Sequence, residues 1–188
     1  MGLRWIPNAI SLVRIALVAP VVISLLERNY LLALLLFAVA GGSDGVDGFL
    51  AKRYGWQTRL GGLLDPIADK TLVSATFITL AWLGLVPIGV VAIIVARDVV
   101  IVTGALAYHL LVAPVKGMPS VISKLNTAFQ LLFVVCVLAG AAWGWPPASV
   151  ATVLGAACVF SAIVSGTNYV LKWSSLAMQQ RRSPAPGR

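Results

Sequence analysis

The sequence predicts an all-α, polytopic membrane protein with six transmembrane helices. Of its 188 residues, 60% are hydrophobic and 11% charged. A soluble domain averages roughly 45–50% apolar and about 25% charged residues. Apolar stretches recur along the chain, and at about 20 residues per span there is room for about six with short connections. Positive charge also falls in every second connection, as expected when one face of a membrane collects Lys and Arg.

The apolar stretches predict helices over Ala9–Leu26, Leu31–Tyr54, Leu60–Leu83, Pro87–Leu111, Ile122–Trp143 and Ala148–Trp173. The first is not read as a secretory leader, because Pro7, Arg14 and Pro20 break it and no small-residue cleavage site follows. The second and third carry most of the acids at their shared end. Residues 1–178 form one membrane domain, and 179–188, with two prolines, form a polar tail expected to be disordered.

Arg4, then Lys52, Arg53 and Arg59, then Lys116 and Lys124, then Arg181, Arg182 and Arg188 mark one side of the membrane. The opposite connections hold Arg28 beside Glu27, no charge near Leu85 and none in Trp143–Pro147. This asymmetry puts both termini in the cytoplasm, with Trp143 and Trp145 at the outer interface and Trp5 and Trp173 at the inner one. The net charge of +8 is therefore read as topology and attraction to anionic lipids, with no nucleic-acid partner. Cys136 and Cys158 lack metal spacing and read as small core residues.

The six acids are Glu27, Asp44, Asp47, Asp65, Asp69 and Asp98. Four of them fall within 44–69, and a carboxylate at mid-membrane costs ~2.5–3.5 kcal/mol on insertion scales. Asp44, Asp47 and Ala51 share one helical stripe, as do Gly61, Asp65 and Asp69. Two such helices side by side offer an all-oxygen cage that suits Mg²⁺ or Mn²⁺ and leaves positions for phosphates. Gly48 and Ala51 remove bulk beside it, and Lys52, Arg53 and Arg59 suit a diphosphate. Arg14 and Arg97 lie within apolar spans, where an ionisable side chain is a functional candidate; the alternatives are that Arg97 pairs locally with Asp98 or another acid and that Arg14 snorkels to the inner face. Asn126 and Gln130, four apart, could bond between helices or reach a substrate.

The run Asp44-Gly-Val-Asp47-Gly48-Phe-Leu-Ala51-Lys52, followed after eight residues by Gly61-Gly-Leu-Leu-Asp65-Pro-Ile-Ala-Asp69, resembles the signature of the CDP-alcohol phosphotransferases, D-x2-D-G-x2-A-R-x8-G-x3-D-x3-D. Seven of eight fixed positions match; Lys52 stands where the family usually has Arg, which keeps the charge and loses the bidentate fork. The resemblance implies six transmembrane helices, usually in a homodimer. It implies one or two divalent metals on Asp44, Asp47 and Asp65, with Asp69 as a further ligand or the catalytic base. Gly48 and Ala51 would line the cytidine pocket, with Lys52, Arg53, Arg59 and Gly61 completing the CDP-lipid site. Arg14, Arg97 and Lys124 are candidates for the acceptor's phosphate.

Ala96-Arg97-Asp98-Val and Ile122-Ser123-Lys124-Leu125-Asn126 resemble the CMP-forming cardiolipin synthase branch, whose donor is CDP-diacylglycerol and whose acceptor is phosphatidylglycerol. The alternative acceptor is glycerol 3-phosphate. The expected setting is a bacterial inner membrane, with the site facing the cytoplasm. The rival of another class is a divalent-cation transporter, disfavoured because the acids gather at one end of two helices, beside basic residues, rather than along a path.

Overall fold

The computed structural model describes residues 6–54, 61–111 and 121–182, with side chains described over 9–43, 68–103 and 125–169. Within these residues the chain forms six α-helices and no strand: α1 Ile6–Leu26, α2 Tyr30–Tyr54, α3 Gly61–Trp82, α4 Ile88–Leu111, α5 Val121–Trp143 and α6 Ala148–Arg182. Five of the six match the expected boundaries within about three residues. The sixth runs nine residues past Trp173 and takes in the start of the segment assigned to the polar tail. Its last stretch, SSLAMQQRR, has no proline or glycine, so nothing in it stops a helix before Pro184.

Short connections force antiparallel neighbours. Helices α1 and α2 are joined through Glu27–Asn29, where the Asn29 side-chain oxygen accepts from the Leu32 amide and caps α2. Helices α3 and α4 join at Leu83–Pro87, where Gly84 takes a φ of 72° that a glycine tolerates without strain. Contacts run α1 to α2, α2 to α5, α5 to α6, α6 to α4, α4 to α3 and α3 back to α1, which closes a ring. Helix α3 also touches α2 and α5 across it.

The core is apolar: Val21 and Leu25 of α1, Phe37 of α2, Leu72, Phe77 and Leu80 of α3, Ile94 of α4 and Leu138 of α5 are all buried. The outer surface is apolar too. Val39, Val153, Phe160 and Ile163 are exposed, and Trp82 and Trp145 are 83% and 73% exposed at the end of the bundle where α3 and α5 finish. Such a surface belongs in lipid, with tryptophans at its edge. By length and composition, Ala9–Leu26, Leu125–Trp143 and Ala148–Tyr169 are each apolar enough to cross a membrane, and Tyr30–Ser43 is a shorter apolar helix.

Three close approaches set the register of the bundle. The rings of Phe77 on α3 and Phe133 on α5 lie with centroids 5.8 Å apart. A Cβ on Gly41 of α2 would lie 3.8 Å from Leu131 of α5. Phe133 also presses on α6 at Gly155, where a Cβ would meet its ring at 3.2 Å. These contacts fix which residues of different helices share a depth.

Candidate functional site

Helix α2 enters the site from the tryptophan-bearing end and α3 leaves toward it, so their acid-bearing turns lie at the same end of the ring. Asp44 is ten residues before the end of α2 and Asp69 eight residues after the start of α3. At 1.5 Å per residue, these positions are about 15 and 12 Å inside the helix ends. Counted from the Gly41–Leu131 and Phe77–Phe133 contacts, Asp47, Asp69 and Leu125 lie at about one level, with Asp44 about one turn deeper. Asp69 is half-buried next to the fully buried Ala68 and engages in a side-chain interaction. The side chains of Asp44, Asp47 and Asp65 lie outside the described residues, as do those of Ala51, Lys52, Arg53 and Lys124 and the surroundings of Gly48 and Gly61. Arg59 lies outside them altogether.

Arg14 is fully buried, and its Nε donates to the carbonyl of Ala40 at 3.1 Å. It therefore points into the ring rather than snorkelling to the inner face. The bond places its guanidinium about one turn from Asp44, where α1, α2 and α3 meet.

Arg97 is held differently. Its Nη1 donates to Asp98 Oδ1 at 2.6 Å and its Nη2 to Ser165 Oγ of α6 at 2.6 Å. Asp98 Oδ2 accepts from Lys70 Nζ at 2.9 Å. One carboxylate thus joins α3 to α4, and the arginine beside it joins α4 to α6. Arg97 and Asp98 are only 4% and 7% exposed and Lys70 27%, so water screens the inner pair little. Two cations share one anion, leaving the group with a net positive charge one residue from Asp69. Lys70 and Asp98 also line an open groove of about 210 Å³ between α3 and α4, with Ser74, Val95, Val99, Val102 and Thr103.

Lys70 has no role in the sequence reading, and Asp98 appears there as one of the six acids, as a residue of the branch motif and as a partner for Arg97, but not for Lys70. The signal that points to them is an unassigned ion in each of two apolar stretches, which calls for a partner. On α5, Asn126 Oδ1 accepts from Ser161 Oγ of α6 at 2.8 Å, so the interhelical bond expected of this residue is present. Gln130, one turn along, is fully buried.

The matched family model, CDP-alcohol phosphatidyltransferase, covers residues 4–168. The chain belongs to the CDP-alcohol phosphatidyltransferase family, whose members generally use divalent metal ions. It is 32% identical over 180 residues to the cardiolipin synthase (CMP-forming) of Rattus norvegicus, covering 87% of this chain and 60% of the relative. To the CDP-diacylglycerol–glycerol-3-phosphate 3-phosphatidyltransferase of Aquifex aeolicus it is 32% identical over 137 residues, covering 70% and 74%. To a probable phosphatidylglycerophosphate synthase of Mycobacterium tuberculosis it is 31% identical over 175 residues, covering 88% and 79%. The chain spans about 60% of the length of the mammalian relatives it matches.

Proposed function

We propose that this chain transfers a phosphatidyl group from CDP-diacylglycerol to the hydroxyl of phosphatidylglycerol, releasing CMP and forming cardiolipin. The observation that carries the reading is the common depth of the two acidic turns on touching antiparallel helices, with Asp69 of the second half-buried. The chemistry of the donor set supports a divalent metal: four carboxylates at helical spacing, all oxygen, fit Mg²⁺ or Mn²⁺ on Asp44, Asp47, Asp65 and Asp69. When bound, such an ion neutralises the diphosphate and the charge that develops during transfer.

The remaining work falls to the chain. The acceptor oxygen forms a bond to the β-phosphorus as the bond to the CMP oxygen breaks. Asp69 takes the hydroxyl proton, and CMP leaves with the electron pair. Gly48, Ala51 and Gly61 give room for the cytidine end, and Lys52, Arg53 and Arg59 hold the diphosphate. Arg14, Arg97 and Lys124 draw the acceptor's phosphate. For Arg97 this role is shared with its bonds to Asp98 and Ser165, which fix the guanidinium in place.

The donor joins a water-soluble nucleotide to two acyl chains, so the site opens both to the aqueous phase and to lipid. This reading takes all six helices as spans, in a bacterial inner membrane with both termini and the site cytoplasmic, and the protein as a homodimer. Relatives named for glycerol-3-phosphate transfer, at identity similar to that of the cardiolipin synthases, support glycerol 3-phosphate as the second candidate acceptor.

The test uses purified protein in detergent with CDP-diacylglycerol, Mg²⁺ or Mn²⁺, and either acceptor, with CMP and the lipid product quantified by mass. Cardiolipin is expected. Phosphatidylglycerophosphate would transfer the reading to the second acceptor, and no metal-dependent CMP from folded protein would overturn it in favour of transport. Asp69→Asn is expected to lower turnover by at least about 100-fold while CDP-lipid binding persists. Loss of binding with turnover intact would refute its role as base.

A further inference from the structure

Gln130 is fully buried, and neither its Nε2 nor its Oε1 has a hydrogen-bond partner among the described residues. Asn126, one turn away and also fully buried, uses its Oδ1 on Ser161 but leaves Nδ2 in the same condition. Buried amide groups are nearly always satisfied, because each unmet one costs on the order of 1–3 kcal/mol. An apolar side chain would fill the same volume without that cost. Two such amides on one helical face therefore point to a ligand that completes them.

Their position says which ligand. The face of α5 that carries Asn126 and Gln130 continues into Phe133, which meets Phe77 of α3 and Gly155 of α6. By the same register, Asn126 lies about level with Asp47 and Asp69, and Gln130 about one turn deeper, within a turn of Asp44. The amides thus stand at the depth of the acidic turns, on α5, which packs beside α2 in the ring and touches α3 across it. They are neutral; the cations Arg14, Lys70 and Arg97 are on other helices, and Lys124 of α5 is two residues from Asn126, off the stripe that Asn126 and Gln130 share. A phosphate seeks those cations. A carboxamide suits a hydroxyl, since its oxygen accepts the hydroxyl proton while its N–H donates to the hydroxyl oxygen.

We infer that Gln130, assisted by Asn126, binds the secondary hydroxyl of a glycerol-bearing acceptor, next to the primary hydroxyl that attacks. The inference rests on the proposed transferase reading and deepens it. Phosphatidylglycerol and glycerol 3-phosphate both present a primary hydroxyl with a secondary one beside it, so either source fits the amides. Gln130 is a specificity residue for that diol: it turns the primary hydroxyl toward Asp69 and disfavours acceptors that lack the neighbouring group.

The test compares each acceptor with its analogue lacking the secondary hydroxyl: phosphatidyl-1,3-propanediol against phosphatidylglycerol, and 3-hydroxypropyl phosphate against glycerol 3-phosphate. Wild type is expected to prefer the diol by about 10- to 100-fold in kcat/KM. Gln130→Leu and Gln130→Met should lose that preference by slowing only with the diol, with the KM for CDP-diacylglycerol unchanged and a melting point no lower than wild type. The arm in which preference collapses identifies the source of the diol. Wild type that uses diol and deoxy acceptors equally, or variants that keep the wild-type preference, would overturn the inference and leave the transferase reading standing. No CMP from wild type with any of the four acceptors would overturn both.

Discussion

Removing the Asp98 carboxylate tests the bundle at a buried charge that two cations share. Asp98 accepts from Lys70 at 2.9 Å, which ties α3 to α4, and from its neighbour Arg97 at 2.6 Å. In Asp98→Ala the two cations lose the carboxylate they share, in surroundings where Arg97 is 4% exposed. Breaking a buried pair by deleting one partner costs about 3–5 kcal/mol, because the charge left behind stays desolvated. For a chain of this size that is a fall of roughly 6–20 °C in melting point. Lys70→Met keeps the aliphatic stem and leaves the Asp98–Arg97 bond whole, so its cost should be nearer 1 kcal/mol. The double variant Arg97→Met/Asp98→Leu removes both inner charges and should recover much of the loss. Thermal unfolding in detergent, followed by tryptophan fluorescence, reads all three. Asp98→Ala melting at the wild-type temperature, or below it by less than Lys70→Met, would refute the claim that this carboxylate holds the two cations in place.

Chelation of divalent ions should abolish CMP release and added Mg²⁺ or Mn²⁺ restore it. Asp44→Asn should raise the half-saturating metal concentration by at least about 10-fold, since the proposed site loses one carboxylate; an unchanged metal titration would remove Asp44 from the proposed ligand set. Gly155→Ala puts a methyl group 3.2 Å from the Phe133 ring, so the ring must shift by a few tenths of an ångström. The overpacking should cost about 1 kcal/mol, and Gly155→Leu clearly more, up to about 3 kcal/mol, both read as lowered melting points. Gly155→Leu as stable as wild type would contradict the α5–α6 contact.

The helices were legible in the sequence because long apolar runs in a chain this poor in charge have few alternatives. Backbone polar groups cannot be left bare in hydrocarbon, so each run closes its own hydrogen bonds as a helix. The acidic pairs were legible for a related reason. A carboxylate that costs several kcal/mol in an apolar span stands out, and i, i+3 and i+4 spacing puts its neighbours on one stripe without knowledge of the fold.

Tertiary structure decided what periodicity does not encode, namely which helix each stripe faces. Arg14 could have snorkelled, yet packing of α1 against α2 sends it to the Ala40 carbonyl. Arg97 read as a ligand for phosphate or a local partner of Asp98; the fold keeps that pair and adds Ser165, 68 residues away. Lys70 gained a partner 28 residues off, which no local spacing would nominate. Asn126 and Gln130 share a stripe in the sequence, but only the packing of α5 against α6 pairs Asn126 with Ser161 while Gln130 has no such partner among the described residues. Hydropathy and helical phase are local properties of the chain. The partner of a buried charge or amide is set by helix order and register, which arise when the whole ring closes.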